Sequence, residues 1–176
     1  VRETQQLNVT DVAVQETGES GVETITFTAP ILSPQATFLG AVTLQVGIPF
    51  LEEVTTRTIR LHEARRGASG RIEYKMLTRK GRVFVDSNLL HKGGLNLTEL
   101  GLPPALLTEA GVPGFVEEEH LQRHVQVVTG YAQTRGFGEF VGLGWSVLVR
   151  MERQEILAPI HAFLWKVGII GGVVWI

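Results

Sequence analysis

A chain of 176 residues is long enough for one ordinary domain or two small ones, and its formal net charge of −2 argues against a general nucleic-acid surface. There is no cysteine, which excludes disulfide frameworks, thiolate metal sites and cysteine nucleophiles and suits a bacterial periplasm. The hydrophobic fraction of 44% and charged fraction of 19% are ordinary for a globular domain.

Leu7 to Gln15 alternates, with Leu7, Val9, Asp11, Ala13 and Gln15 expected on one strand face. Gly18-Glu-Ser-Gly21 is a turn signal. Val22 to Ala29 is rich in β-branched and aromatic residues and predicts a strand. A turn near Ser33–Ala36 leads into a long strand, Phe38 to Ile48, completing a hairpin. Phe50 to Arg66 predicts a helix, with Pro49 in its first turn. Phe50, Leu51, Val54, Thr58 and Leu61 form its apolar stripe. Glu52 and Glu53 near its start and Arg57, Arg60, Arg65 and Arg66 toward its end complement the helix dipole. Gly67-Ala-Ser-Gly70 is the clearest linker.

The second half repeats the theme. Ile72–Thr78 and Arg82–Asp86 flank a turn at Arg79-Lys-Gly81, where glycine permits positive φ. A polar loop with Gly93-Gly94 follows, then a short helix from Leu97 to Ala110 interrupted at Pro103-Pro104 and ended by Gly111. His124–Thr134 and Leu143–Met151 predict strands around a loop at Gly136–Gly142. A final helix runs from about Glu152, with a kink expected at Pro159.

That helix ends in Val167 to Ile176, where every residue is apolar or glycine. As a helix the run spans roughly 15 Å, about half a bilayer core. Gly168, Gly171 and Gly172 fit a membrane helix better than a soluble one, and Trp165-Lys166 at its head fits the interface. Trp175 would lie deeper than an interfacial belt. The run reads as the start of a transmembrane helix; the competing reading is a core helix. The start at Val1, without a signal peptide, and the apolar end together read as a fragment of a longer protein.

Antiparallel strands with short helices between them predict an α+β fold of two antiparallel sheets flanked by helices. The divisions fall at 1–66, 67–152 and 153–176.

Several pieces, in order, carry a family resemblance. They are Val9-Thr-Asp-Val12, Phe27-Thr-Ala-Pro-Ile31 and Leu39-Gly-Ala-Val-Thr-Leu-Gln45, then Thr78-Arg-Lys-Gly-Arg-Val83, Thr129-Gly-Tyr-Ala132, Gly142-Leu-Gly-Trp-Ser-Val147 and Ala158-Pro-Ile160. Over nearly its whole length the chain resembles the extracytoplasmic double-Cache sensor domains of bacterial membrane receptors. The resemblance implies two PAS-like subdomains. Residues 1–66 would be the C-terminal part of the membrane-distal subdomain plus a connecting helix, and 67–152 the membrane-proximal subdomain. Residues 153–176 would be a juxtamembrane helix and a partial transmembrane helix. It implies a small-molecule ligand, a membrane partner, a homodimer and a place at the bacterial inner membrane, facing the periplasm or the extracellular side. The effector beyond would be a chemoreceptor module, a histidine kinase or a cyclic-dinucleotide enzyme. No catalytic residue, cofactor or metal is expected within the chain itself.

The resemblance places candidate distal ligand contacts at Asp11, Thr26, Thr28, Thr43 and Gln45, and proximal ones at Tyr131 and Arg135. Amine- and amino-acid-binding members carry an aspartate where Gln45 stands, and it pairs with the ligand's ammonium. Glutamine is neutral and cannot balance a buried ammonium, so free α-amino acids are not expected to bind by that mode. The competing reading makes Gln45 a plain sheet residue, Tyr131 a half-buried strand residue, Arg135 a loop residue and Trp145 a core anchor. Glu117-Glu-Glu-His-Leu-Gln-Arg-His124 lacks the zinc-protease spacing and is expected at a solvated sheet edge. Asp86-Ser87 with His91 makes no triad, and Gly136-Phe-Gly138 lacks the context of a phosphate loop. The alternative function is a membrane-anchored interaction or spacer domain without a small ligand; a hydrolase is the weakest reading.

Overall fold

The computed structural model describes residues 8–15, 22–66, 71–88, 95–108, 110–120, 123–138 and 140–174. The turn at 18–21, the linker at 67–70, His91 with Gly93-Gly94, and Trp175 lie outside the described residues.

Three strands open the chain: β1 (Asn8–Gln15), β2 (Val22–Leu32) and β3 (Phe38–Gly47), paired antiparallel in the order β1-β2-β3. The β2–β3 turn is built by Ser33. Its Oγ accepts the N–H groups of Gln35 and Thr37 at 3.2 and 3.1 Å, and its carbonyl accepts that of Ala36, a local hydroxyl-to-backbone turn.

Helix α1 (Ile48–Arg66) follows β3 without a loop. It seats Ile48, Leu51 and Ile59 against the core, and Thr55 and Thr56 point the same way. Thr55 Oγ1 donates to the Leu51 carbonyl at 2.7 Å, and Thr56 Oγ1 meets the Tyr74 hydroxyl at 2.5 Å. The expected apolar stripe is therefore corrected. Leu51 alone of that set turns inward, while Phe50, Val54, Thr58 and Leu61 are exposed. Two of these five inward residues are threonines, whose hydroxyls can be buried because they find a backbone or phenol partner.

The second sheet contains β4 (Glu73–Leu77), β5 (Val83–Asp86), β6 (Gly114–Glu119), β7 (Gln126–Gln133) and β8 (Ser146–Glu152) in the order β5-β4-β8-β7-β6, all antiparallel. At the β4–β5 turn the Gly81 N–H reaches the Thr78 carbonyl with φ of 81°, as the glycine there implied. Only Pro103–Thr108 is helical in the stretch expected as a helix from Leu97; it forms α2. Before it, Asn96 Oδ1 accepts the N–H groups of Thr98 and Glu99 and holds a turn instead. β6 is a strand that the sequence reading passed over, and it puts Glu117–Glu119 on the sheet edge.

Two apolar clusters result. One gathers Ile25 of β2, Ile48 of α1, and Tyr74, Met76, Phe84 and Val85 of the second sheet, with Val9, Phe27 and Trp145 packed against it. It therefore joins both sheets. The other, Leu77, Val83, Leu97, Ala105 and Leu148, lies under α2. The Trp145 ring packs on Phe84 at 4.8 Å between centroids, and its Nε1–H donates to Asp11 Oδ1 of β1 at 2.7 Å.

Helix α3 (Arg153–Val174) continues directly from β8 and passes through Pro159. Ile160, Phe163, Leu164, Trp165, Val167 and Ile169 along it are exposed. Among the described residues no helix is long and apolar enough to cross a membrane.

Trp145→Phe keeps ring packing but removes the indole donor to Asp11. Loss of a hydrogen bond to a carboxylate predicts about 1.5–3 kcal/mol of destabilisation, read as a lower urea midpoint with an unchanged slope.

Candidate functional site

Register decides which candidate residues share a surface. Thr26 lies opposite Gln45 and Thr28 opposite Thr43, while Asn8 lies opposite Thr28 and Thr10 opposite Thr26 on the other side. Side chains alternate along a strand and directly opposed residues point the same way. Thr26, Thr28, Thr43 and Gln45 therefore lie on one face, with Asn8 and Thr10 beside them. The Thr28 and Thr43 hydroxyls are 3.3 Å apart. Thr24, on the same face, has a buried Oγ1 with no partner among the described residues. The face carries hydroxyl and amide groups and no ionised side chain at these positions, so it offers directional hydrogen bonds without charge.

Asp11 is not part of that row. Thr10 lies opposite Thr26 in that row, so alternation puts Asp11 on the other face with Val9, toward the shared core. Its carboxylate is engaged by the Trp145 indole instead.

The two proximal candidates are also apart. Tyr131 packs with the cluster under α2, its hydroxyl crowding Gly114, where a Cβ would lie 2.6 Å from it. Arg135 is exposed beyond the end of β7, beside an open cleft of about 730 Å³.

The rest of the second sheet's inner surface is ionic. Lys75 Nζ meets Asp86 Oδ2 at 2.5 Å. Arg150 Nη2 meets Glu118 Oε1 at 2.5 Å and its Nε donates to Thr129 Oγ1 at 3.0 Å; that hydroxyl donates on to Glu118. Glu73 takes Arg123 at 2.9 Å and His120 at 3.3 Å, and Arg123 also pairs with Glu152 at the end of β8. The cavity bordered by Glu73, Lys75, Thr129, Leu148 and Arg150 measures only about 10 Å³, at the limit for a single water. The surface is filled by its own charges. A signal for them existed in the chain: Glu73, Lys75 and Arg150 interrupt otherwise apolar strands, and charges are almost never buried unless paired.

The Glu117–His124 stretch divides between β6 and the turn after it. His120 faces Glu73, and His124 faces Glu119 at 2.9 Å. Among the described residues no group of three His, Cys, Asp or Glu side chains could hold a metal ion.

No protein-family model and no curated protein matches the chain. Solved structures do match. The extracellular domain of mmHK1S-Z3, a protein designated a histidine kinase, superposes with a TM-score of 0.62 at 16% identity over 91% of this chain and 54% of that one. The periplasmic sensory domain of the Campylobacter jejuni chemoreceptor Tlp1 gives 0.60 at 12% identity over 88% and 52%. The ligand-binding domain of Campylobacter jejuni chemoreceptor Tlp3 in complex with L-valine gives 0.54 at 11% identity over 88% and 51%. The chain shares the fold of these domains. It spans about half the length of these domains.

In this fold the Arg150–Glu118 pair is largely buried, with side-chain exposures of 14% and 7%. Arg150→Met leaves Glu118 uncompensated and predicts a loss of about 3–5 kcal/mol in urea unfolding. The double variant Arg150→Met/Glu118→Leu recovers most of it, because removing both charges together costs far less than stranding one.

Proposed function

We propose that the chain is the extracytoplasmic ligand-sensing part of a transmembrane signal-transduction receptor. The observation that carries this reading is a continuous path. The uncharged Thr26–Thr28–Thr43–Gln45 face belongs to a sheet that shares its core with the second sheet, and the last strand of the second sheet runs directly into α3 with its exposed apolar side chains. The shared fold supports the same reading.

In this proposal residues 1–66 supply the C-terminal part of the membrane-distal subdomain and the connecting helix. Residues 67–152 are the membrane-proximal subdomain and 153–176 lead into the inner membrane. The receptor is a homodimer with its sensing part on the periplasmic side, and its effector is a chemoreceptor module, a histidine kinase or a cyclic-dinucleotide enzyme. Ligand on the distal face shifts an equilibrium between two arrangements, by no more than its difference in affinity for them. The proximal subdomain, filled by its own ion pairs, transmits rather than receives at that surface.

The ligand is a polar small molecule held by hydroxyl and amide groups. Tlp3 is solved with L-valine and with L-norvaline; here Gln45 offers no charge to pair with an ammonium. Calorimetry of the complete extracytoplasmic domain with a metabolite panel tests both statements. The expected result is saturable binding of an uncharged or acidic metabolite, weakened about tenfold or more by Thr28→Val or Gln45→Ala, an effect of about 1.4 kcal/mol, and no binding of free α-amino acids. Tight binding of an amino acid that Gln45→Ala abolishes overturns the ligand assignment. No binding of any metabolite favours a spacer domain.

A further inference from the structure

The open cleft beside Arg135 is a second place where the molecule can take a ligand. One wall is the β4–β5 turn, carrying Arg79; the other is the end of β7 with Gln133, Thr134 and Arg135; Ser146 lies at its base and the glycine-rich loop before Trp145 closes it. Its volume is about 730 Å³, and among the described residues no acidic one lines it.

The arginines sort by what they hold. Arg82, Arg123, Arg150 and Arg153 each meet a carboxylate: Glu23, Glu73, Glu118 and Glu117 respectively. Arg79 and Arg135, the two that line the cleft, meet none among the described residues; nor do Arg57, Arg60 and Arg65 on α1, but those do not converge on this cleft. The Arg79 side chain runs beside Gly144, its Cδ 3.7 Å from where a Cβ there would be. Gly144 sits at φ of 65°, a conformation an L side chain rarely adopts, and its carbonyl is fixed by Gln133 Nε2 at 3.2 Å. The loop also closes on itself, because a Cβ at Gly136 would collide with the Phe140 carbonyl.

We propose that this cleft binds a small organic polyanion, a di- or tricarboxylate, between Arg79 and Arg135. Guanidinium forks match carboxylates in geometry and charge. The remaining groups, Thr134, Ser146 and the Gln133 amide, suit a ligand with hydroxyl or carbonyl oxygens. The site is distinct from the Thr26–Gln45 face. It also lies at a mechanical junction. The same loop seats Phe140 edge-on to Phe27 of β2, with centroids 6.0 Å apart, and Trp145 against Asp11 of β1. An occupant held by Arg135 therefore bears on the contact between the two sheets.

Citrate is the probe, titrated calorimetrically into the chain at fixed ionic strength, with inorganic phosphate and trimethyl citrate in parallel. The expected result is saturable citrate binding, little or no binding of the ester, and weaker binding of phosphate. Arg79→Gln and Arg135→Gln each weaken citrate about tenfold or more, by loss of a charge-assisted pair. Both side chains are exposed, so the melting temperature without citrate stays unchanged. Arg135→Lys, which keeps the charge and loses the fork, falls between. Absence of saturable citrate binding, binding indifferent to both glutamine variants, or phosphate binding as tight as citrate overturns the proposal. None of these outcomes touches the Thr26–Gln45 face, whose own titration reads a different set of variants.

Discussion

Neither sheet can cover its apolar face without the other. A three-stranded sheet is near the lower limit for independent stability, and Ile25 at its centre is 2% exposed only because Ile48, Tyr74, Met76, Phe84 and Val85 close over it. The indole of Trp145 adds a polar pin to the apolar contact. Its ring belongs to the second sheet's core and its N–H to the first sheet's Asp11. Everything that distinguishes the two halves is built around that shared body, so a change of shape in one is a change of packing in the other.

Elements whose information is local were legible in the chain. The β2–β3 hairpin, the β4–β5 turn with Gly81, and the strands around 126–133 and 146–152 follow from alternation and turn residues a few positions apart. β6 was obscured because three successive glutamates mask the period, and their burial alternates only once Glu118 finds Arg150. The face of α1 was misjudged because the pattern of apolar residues points outward, while threonines with backbone and phenol partners point in. α2 is shorter than its composition implies, because Asn96 captures the backbone that would have begun it.

Thr26, Thr28, Thr43 and Gln45 were candidates through the resemblance alone, and the hairpin register sets them on one face. Asp11 shares the parity of Val9 and so faces the shared core and Trp145, not that row. The ion pairs were beyond reach for another reason. Glu73 and Arg123 are fifty residues apart, and Glu118 and Arg150 thirty-two. Composition could say that such charges need partners; only topology could say which.

The pairing of β4 with β8 has a geometric consequence. Glu73, where the chain enters the second sheet, stands opposite Arg150, just before it leaves. The strands are antiparallel, so the start of β4 and the end of β8 lie at one end of the sheet, where the backbone N–H of Arg71 reaches Glu155 in the first turn of α3 at 3.4 Å. The entry to β4 and the outgoing helix are thus separated by a single interstrand spacing, about 4.8 Å, at that end of the sheet. β7 braces the same exit from the other side, since Val127 lies opposite Glu152 at the end of β8.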